Sequence, residues 1–417
     1  MNKINYTFID LFAGAGGLAE GFLKKKCDPL AFVEMEKDAC LTLKTRLAYY
    51  YLQKNNKSNI YDDYLIGKIS RDELYKAVPQ EIIDSVINCE VNESNINGIF
   101  TRIHSILKKS CCKKIDIIVG GPPCQAYSLA GRSADKDRKK YDSRNLLYKI
   151  YAKFLKEFQP SLFVFENVPG LLSANEGRYY KNLKKYFRRI GYLVDEDILD
   201  ASDFGVLQKR KRVLLVGWQK GLKIGYPSFD KETEKIGTGE LFFDLPFLKA
   251  GESRRVCKYT KDASEYLISS GIRNGRSFVT QHISRPHNTK DQWIYGLAID
   301  LLEKNGHRLR NSEIPEEKRT QKNITSFLDR FKVVAKDQLS HTILAHIAKD
   351  GHYYIHPDKK QLRSLSVREA ARIQSFPDDY FFEGSRTSVF RQIGNAVPVM
   401  MAEKIAEKIK EILSNGY

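Results

Sequence analysis

Phe8-Ile9-Asp10-Leu11-Phe12-Ala13-Gly14-Ala15-Gly16-Gly17-Leu18 is the stretch that decides the fold. A short, mostly apolar run enters a cluster of glycines, and a helical pattern follows at 19–26, so the segment reads as strand, tight turn and helix. Glycines in that turn let a ligand approach the backbone closely at a helix N-terminus. About twenty residues on, a second apolar run ends at Glu34, whose carboxylate is suited to accept from both hydroxyls of a ribose. An adenosine-containing cofactor fits this pair. So does a nicotinamide nucleotide, because Gly14-x-Gly16-x-x-Ala19 meets the loose dinucleotide fingerprint, and a turn without any ligand is a third reading.

Working outward, further apolar runs at 6–11, 30–34, 115–120, 162–167, 192–199 and 213–218 alternate with amphipathic segments. That alternation predicts an α/β protein, a parallel sheet covered by helices. The polar, Tyr-rich and Asn-rich stretch near 49–94, with helical spacing at 71–86, reads as an insertion on this frame. A first domain is expected over 1–220, and a second, smaller one over 221–358, where strict alternation disappears. Helical spacing returns at 366–376 and 399–412, so 359–417 is expected to rejoin the first domain.

The chain has 417 residues, 69 Lys and Arg against 51 Asp and Glu, and a formal net charge of +18. Such an excess attracts polyanions, and nucleic acid is the leading partner. With 42% hydrophobic residues the chain has the apolar content of a folded protein, which excludes the disordered class. Seven cysteines without a disulfide or zinc spacing suit a reducing cytoplasm, and neither a signal peptide nor a bilayer-length apolar run is present. A soluble cytoplasmic protein without metal or membrane attachment is the expectation.

Two later strands carry chemistry. The run at 115–119 leads into Gly120-Gly121-Pro122-Pro123-Cys124-Gln125-Ala126-Tyr127-Ser128, and the two prolines stiffen a turn that presents Cys124 at the carboxyl end of a strand, where open α/β sheets place their sites. Phe163-Val164-Phe165-Glu166-Asn167 puts Glu166 at the same edge; a carboxylate ending such an apolar run is costly to bury without a partner. Downstream, Gln208-Lys209-Arg210-Lys211-Arg212 precedes another strand, and alternation sets Arg210 and Arg212 on one face.

In this order, DLFAGAGG, GGPPCQAYS, FENVPG, QKRKR, RSLSVREAARIQSFPDDY and RQIGNAVP resemble the motif set of the DNA cytosine-5 methyltransferases. The resemblance implies a Rossmann-like S-adenosylmethionine-dependent methyltransferase sheet with a smaller target-recognition domain. It implies Cys124 as nucleophile, Glu166 as the acid that recognises the base, and Arg210 and Arg212 as active-site arginines. Phe12, Gly14, Gly16, Glu34, Met35, Asn95, Ile96, Pro123 and Asn395 fall where the family holds S-adenosyl-L-methionine. Asn95 stands where the family usually has an Asp for the adenine amino group, and Leu207 replaces a proline common before the glutamine of the arginine motif. The stretch at 131–144 matches a loop that closes on DNA.

The implied partners are double-stranded DNA and, functionally, a cognate restriction endonuclease, the enzyme acting as a monomer. An RNA methyltransferase of the same superfamily shares the chemistry, but the large variable segment suits duplex reading better. Within that segment, the Arg254-Arg255 pair, His282, His287 and Trp293 are candidate DNA contacts, each equally compatible with packing or surface roles.

Overall fold

A computed structural model of the chain describes residues 5–110, 112, 114–123, 147–232, 236–320 and 328–416. In chain order the first half forms β1 (Thr7–Leu11), α1 (Gly17–Lys24), β2 (Asp28–Glu34), α2 (Lys37–Lys54), α3 (Ser58–Leu65), α4 (Arg71–Lys76), α5 (Gln80–Asp84), β3 (Val86–Asn88), α6 (Ile96–Lys109), β4 (Ile117–Gly120), α7 (Leu147–Phe158), β5 (Leu162–Asn167), α8 (Gly170–Ser173), α9 (Arg178–Arg189), β6 (Tyr192–Asp200) and β7 (Lys211–Gln219). The second half adds β8 (Ser253–Lys258), α10 (Glu265–Ser269), β9 (Phe278–Ile283), α11 (Thr289–Asn305), α12 (Val367–Ile373), α13 (Arg386–Asn395) and α14 (Val399–Asn415).

Seven strands make one sheet in the order β3-β2-β1-β4-β5-β7-β6. The five from β3 to β5 are parallel, and β7 lies antiparallel between β5 and β6. Both faces of the inner strands are covered, which is why β1, β2, β4, β5 and β7 read as mostly continuous apolar runs, whereas the edge strand β6 alternates buried and exposed residues. Phe8, Phe32 and Val119 face one core with Leu18 and Phe22 of α1 and Met401, Ile405 and Ile409 of α14. Ile9, Leu11, Ile118 and Phe163 face the other with Ile103 of α6, Tyr151 and Phe154 of α7 and Leu183 and Phe187 of α9. The chain thus returns after its variable segment to close the first core.

The structure departs from the sequence reading at β3. Val86–Asn88 pair with Phe32–Glu34 of β2 as an edge strand of the main sheet, so the insertion ends before residue 86. The expected helix over 71–86 is broken in two, because Pro79, lacking an N–H, caps α5 rather than continuing α4. Between α2 and β3, Tyr49, Leu52, Tyr61, Tyr64, Leu65 and Leu74 form a small core of their own with Phe381.

The region after β7 contains an antiparallel β8–β9 ribbon and short helices. Its apolar residues do not make a fully separate core: Leu241, Phe242, Tyr266 and Leu267 pack with Val367, Ala371, Phe376, Ile393 and Val399 of the returning segment and with Ala15 of the glycine turn. Arg372 ties the two stretches, its guanidinium 2.6 Å from both Asp244 and Asp378 with all three side chains buried. A reciprocal Ser366–Glu369 cap starts α12.

Candidate active site

The crossovers of an open α/β sheet diverge where strand order reverses, here between β1 and β4, and leave a crevice at the carboxyl ends of those strands. β1 delivers the glycine turn to that crevice. Phe12, Gly14 and Gly16 have positive φ of 58°, 54° and 80°, and Gly16 caps the start of α1. A non-glycine residue in this conformation stores strain, and at Phe12 the strain lies against the proposed ligand site.

Glu34 ends β2 and is buried. Its carboxylate accepts from the backbone N–H of Gly14 and of Glu36, each at 2.8 Å. Burial raises its pKa above the ordinary carboxylate value, opposed by those two N–H bonds. Met35, directly after it, is 55% exposed at the rim. The turn, Glu34 and Met35 therefore stand together as the sequence placed them.

Asn95 and Ile96 stand at the start of α6. Asn95 caps α6 seven residues past the end of β3, with its side-chain amide donating to the Glu90 carbonyl at 3.0 Å, and Ile96 is buried in the core beneath. The residues that follow β3 are Cys89, Glu90 and Val91, the last buried in the same core as Ile96. A three-residue strand in a polar region gives little signal, so sequence reasoning did not find β3.

β4 ends at Gly120, and Gly121, Pro122 and Pro123 lead to Cys124. Cys124, like the loop at 131–144, lies outside the described residues. Asn167 donates its amide to the Pro122 carbonyl at 3.1 Å, and a methyl on Gly121 would sit 2.7 Å from Glu166 Oε2, so a side chain there would displace the carboxylate.

Glu166 stands one residue before the end of β5, and because β7 is antiparallel, the start of β7 lies at the same edge. Arg212 Nε thereby reaches Glu166 Oε1 at 2.7 Å, both side chains nearly buried. Arg210 shares the face but not the destination. It is buried, and its guanidinium donates to the carbonyls of Ile343 at 2.7 Å, Ala396 at 2.9 Å and Gly394 at 3.3 Å. Three carbonyls from distant segments draw it into the seam with the returning chain, whereas Arg212 pairs with Glu166. There it pins the stretch around Asn395, which is exposed at the end of α13, while Val397 O lies within 2.3 Å of where a methyl on Gly17 would stand.

Asp10 was not singled out from sequence, although an acid inside an apolar strand was a visible signal. It is fully buried, one carboxylate oxygen has no hydrogen-bond partner among the described residues, and burial, then the nearby Glu34, hold its pKa well above normal. Of the candidate DNA contacts, His282 is buried between Ser366 Oγ and the Pro246 carbonyl, each at 2.9 Å. His287 bonds Ser364 and Tyr295. Arg255 lies over the rings of Phe381 and Tyr64, whereas Arg254 and Trp293 remain at the surface.

The family model for C-5 cytosine-specific DNA methylase matches residues 6–79 and 78–411. The chain belongs to that family. As a relative of the Type II methyltransferase M.Bpa9945I of Bacillus paralicheniformis it is 42% identical over 98% of its own length and 99% of the other's. It is 30% identical to the Type II methyltransferase M.DdeI of Desulfomicrobium norvegicum, over 98% of this chain and 89% of that one. Among solved structures, a protein described as a DNA modification methyltransferase encoded within an E. coli prophage superposes with a TM-score of 0.66, covering 98% of this chain and all of that one at 22% identity, a likeness of fold. This methylase transfers a methyl group to carbon 5 of cytosine in DNA.

Proposed function

We propose that the enzyme draws its methyl group from S-adenosyl-L-methionine held between β1 and β2, and that it acts on a cytosine swung out of duplex DNA through a covalent bond to Cys124. The observation that carries this reading is the Glu166–Arg212 pair, poised against Gly121 where the chain turns toward Cys124. The crevice suits the cofactor. Glu34 retains acceptor capacity beyond its two N–H bonds for a ribose, Met35 offers an exposed apolar face for the adenine, and Asp10 carries a buried oxygen without a partner among the described residues near the turn. Phe12, Gly14, Gly16, Asn95, Ile96, Pro123 and Asn395 are read as completing the lining. When bound, the cofactor supplies an electrophilic methyl group.

Carbon 5 of cytosine is a weak nucleophile. Addition of the Cys124 thiolate to carbon 6 breaks the ring conjugation and makes carbon 5 an enamine carbon able to form the new bond to methyl. Glu166 shares a proton with ring nitrogen 3 and so neutralises charge as the sulfur adds. Arg212, held by Glu166, is placed to donate to the oxygen at carbon 2. Loss of the carbon 5 proton then expels Cys124 and restores the ring. Swinging the base out costs a few kcal/mol and exposes carbon 6 to the thiolate.

The segment at 221–358 is assigned target recognition, and the enzyme is read as a monomer that protects host DNA from a restriction endonuclease sharing its site. Bisulfite sequencing of DNA from an expressing host tests the reading. Conversion-resistant cytosines confined to one short sequence, and absent with Arg212→Ala, are expected; unmodified DNA would overturn it.

A further inference from the structure

α9 sets Lys181, Lys184, Lys185, Arg188 and Arg189 at i, i+3, i+4, i+7 and i+8, along one stripe, while Leu183 and Phe187 turn inward. With Lys220, which follows β7, these side chains line an open concavity of about 710 Å³. Lys184 is neutralised by Glu196 at 2.7 Å and Asp195 at 3.9 Å. The other five cations have no ion pair among the described residues. Like charges at i, i+4 destabilise a helix, so Lys181–Lys185 and Lys185–Arg189 work against α9, although Arg188 and Arg189 in its last turn are favoured by the helix dipole.

Its place in the fold separates it from the catalytic edge. β7 starts beside Glu166 and runs away from it, so eight residues at about 3.3 Å each put Lys220 roughly 26 Å from Arg212. Arg188 and Arg189 close α9 just before β6 starts, at the same far rim. A duplex lying on the catalytic edge faces the other way. We propose that this concavity binds the phosphates of a second segment of duplex DNA while the first occupies the active site. Duplex DNA is the occupant because the enzyme's substrate is a long polyanion: once one part is docked, remote parts of the same molecule are held at high effective concentration. The inference rests on the DNA reading of the active site.

The test is the exposed triple variant Lys181→Gln, Lys185→Gln, Arg189→Gln, assayed with wild type for retention of a labelled duplex on a bead-bound duplex. Wild type should bridge the two and the variant should not. For long DNA, the slope of log affinity against log salt should shrink by about three, near one unit per cation removed. Turnover on a short duplex that spans only the active site should be unchanged. Equal bridging and equal slopes in the two proteins would overturn the proposal, as would wild-type retention of single-stranded RNA but not of duplex. Bridging is read without catalysis, so an enzyme inactive on every duplex would indict the methyltransfer reading instead.

Discussion

Glu166 and Arg212 meet at 2.7 Å because an antiparallel strand brings its first residues beside the end of a parallel one. Glu166→Gln keeps the size and an acceptor for Arg212 but cannot supply a proton. Turnover measured by labelled methyl transfer should fall about a hundredfold or more, with DNA affinity retained. Glu34 poses the complementary case. Glu34→Gln replaces an acceptor-only group that now receives two N–H bonds, and its amide would set donor against donor at Gly14 or Glu36. Affinity for S-adenosylmethionine by calorimetry should drop about ten- to a hundredfold, the worth of a charged hydrogen bond; an unchanged value removes Glu34 from the cofactor site. Glu34 and Glu166 were legible because each ends an apolar run. The destination of Arg210 was not, since its carbonyl partners lie 133 to 186 residues away in sequence.

At the scale of elements, α1 and α14 lie so close that a methyl on Gly21 would stand 2.2 Å from the Ala402 carbonyl carbon. Gly21→Ala should therefore lower the thermal midpoint, at a cost of about 1–3 kcal/mol. Gly98, in α6, has open space where its methyl would go, and Gly98→Ala should raise stability by about 0.5–1 kcal/mol through backbone entropy. Calorimetric melts of both variants decide the matter; shifts of the same sign would mean that α14 does not rest on α1 as described. The long buried strands were legible as apolar runs, and α14 as helical spacing. β3 was hidden because three residues carry no period, and because the helical pattern before it runs through Pro79 without showing that the chain breaks there.

Across the whole molecule, the variable region and the returning segment share one core, which sequence alternation alone could not reveal because no single stretch contains it. Four histidines in these segments report its integrity. Burial pushes His282, His341 and His356 down to about 4 and His287 to about 3, so all are neutral in the fold. The unfolded chain protonates them near about 6.5, so between that pH and 4 it binds more protons than the folded state. Their stabilisation is present above 6.5 and is lost as pH falls through the window. Melting temperatures should decline from pH 7 to 5, before ordinary carboxylates titrate, and His356→Gln should flatten the decline. The proposed mechanism comes down to the sulfur of Cys124 adding to carbon 6. Duplex DNA carrying 5-fluorocytosine at the target cannot lose the carbon 5 substituent as a proton, so elimination should stall after methylation. A protein–DNA adduct stable to denaturation should accumulate only with S-adenosylmethionine and should vanish in Cys124→Ser, whose hydroxyl is far less ionised than a thiol. Equal trapping by Cys124→Ser and wild type would contradict the nucleophile assignment and the mechanism built on it.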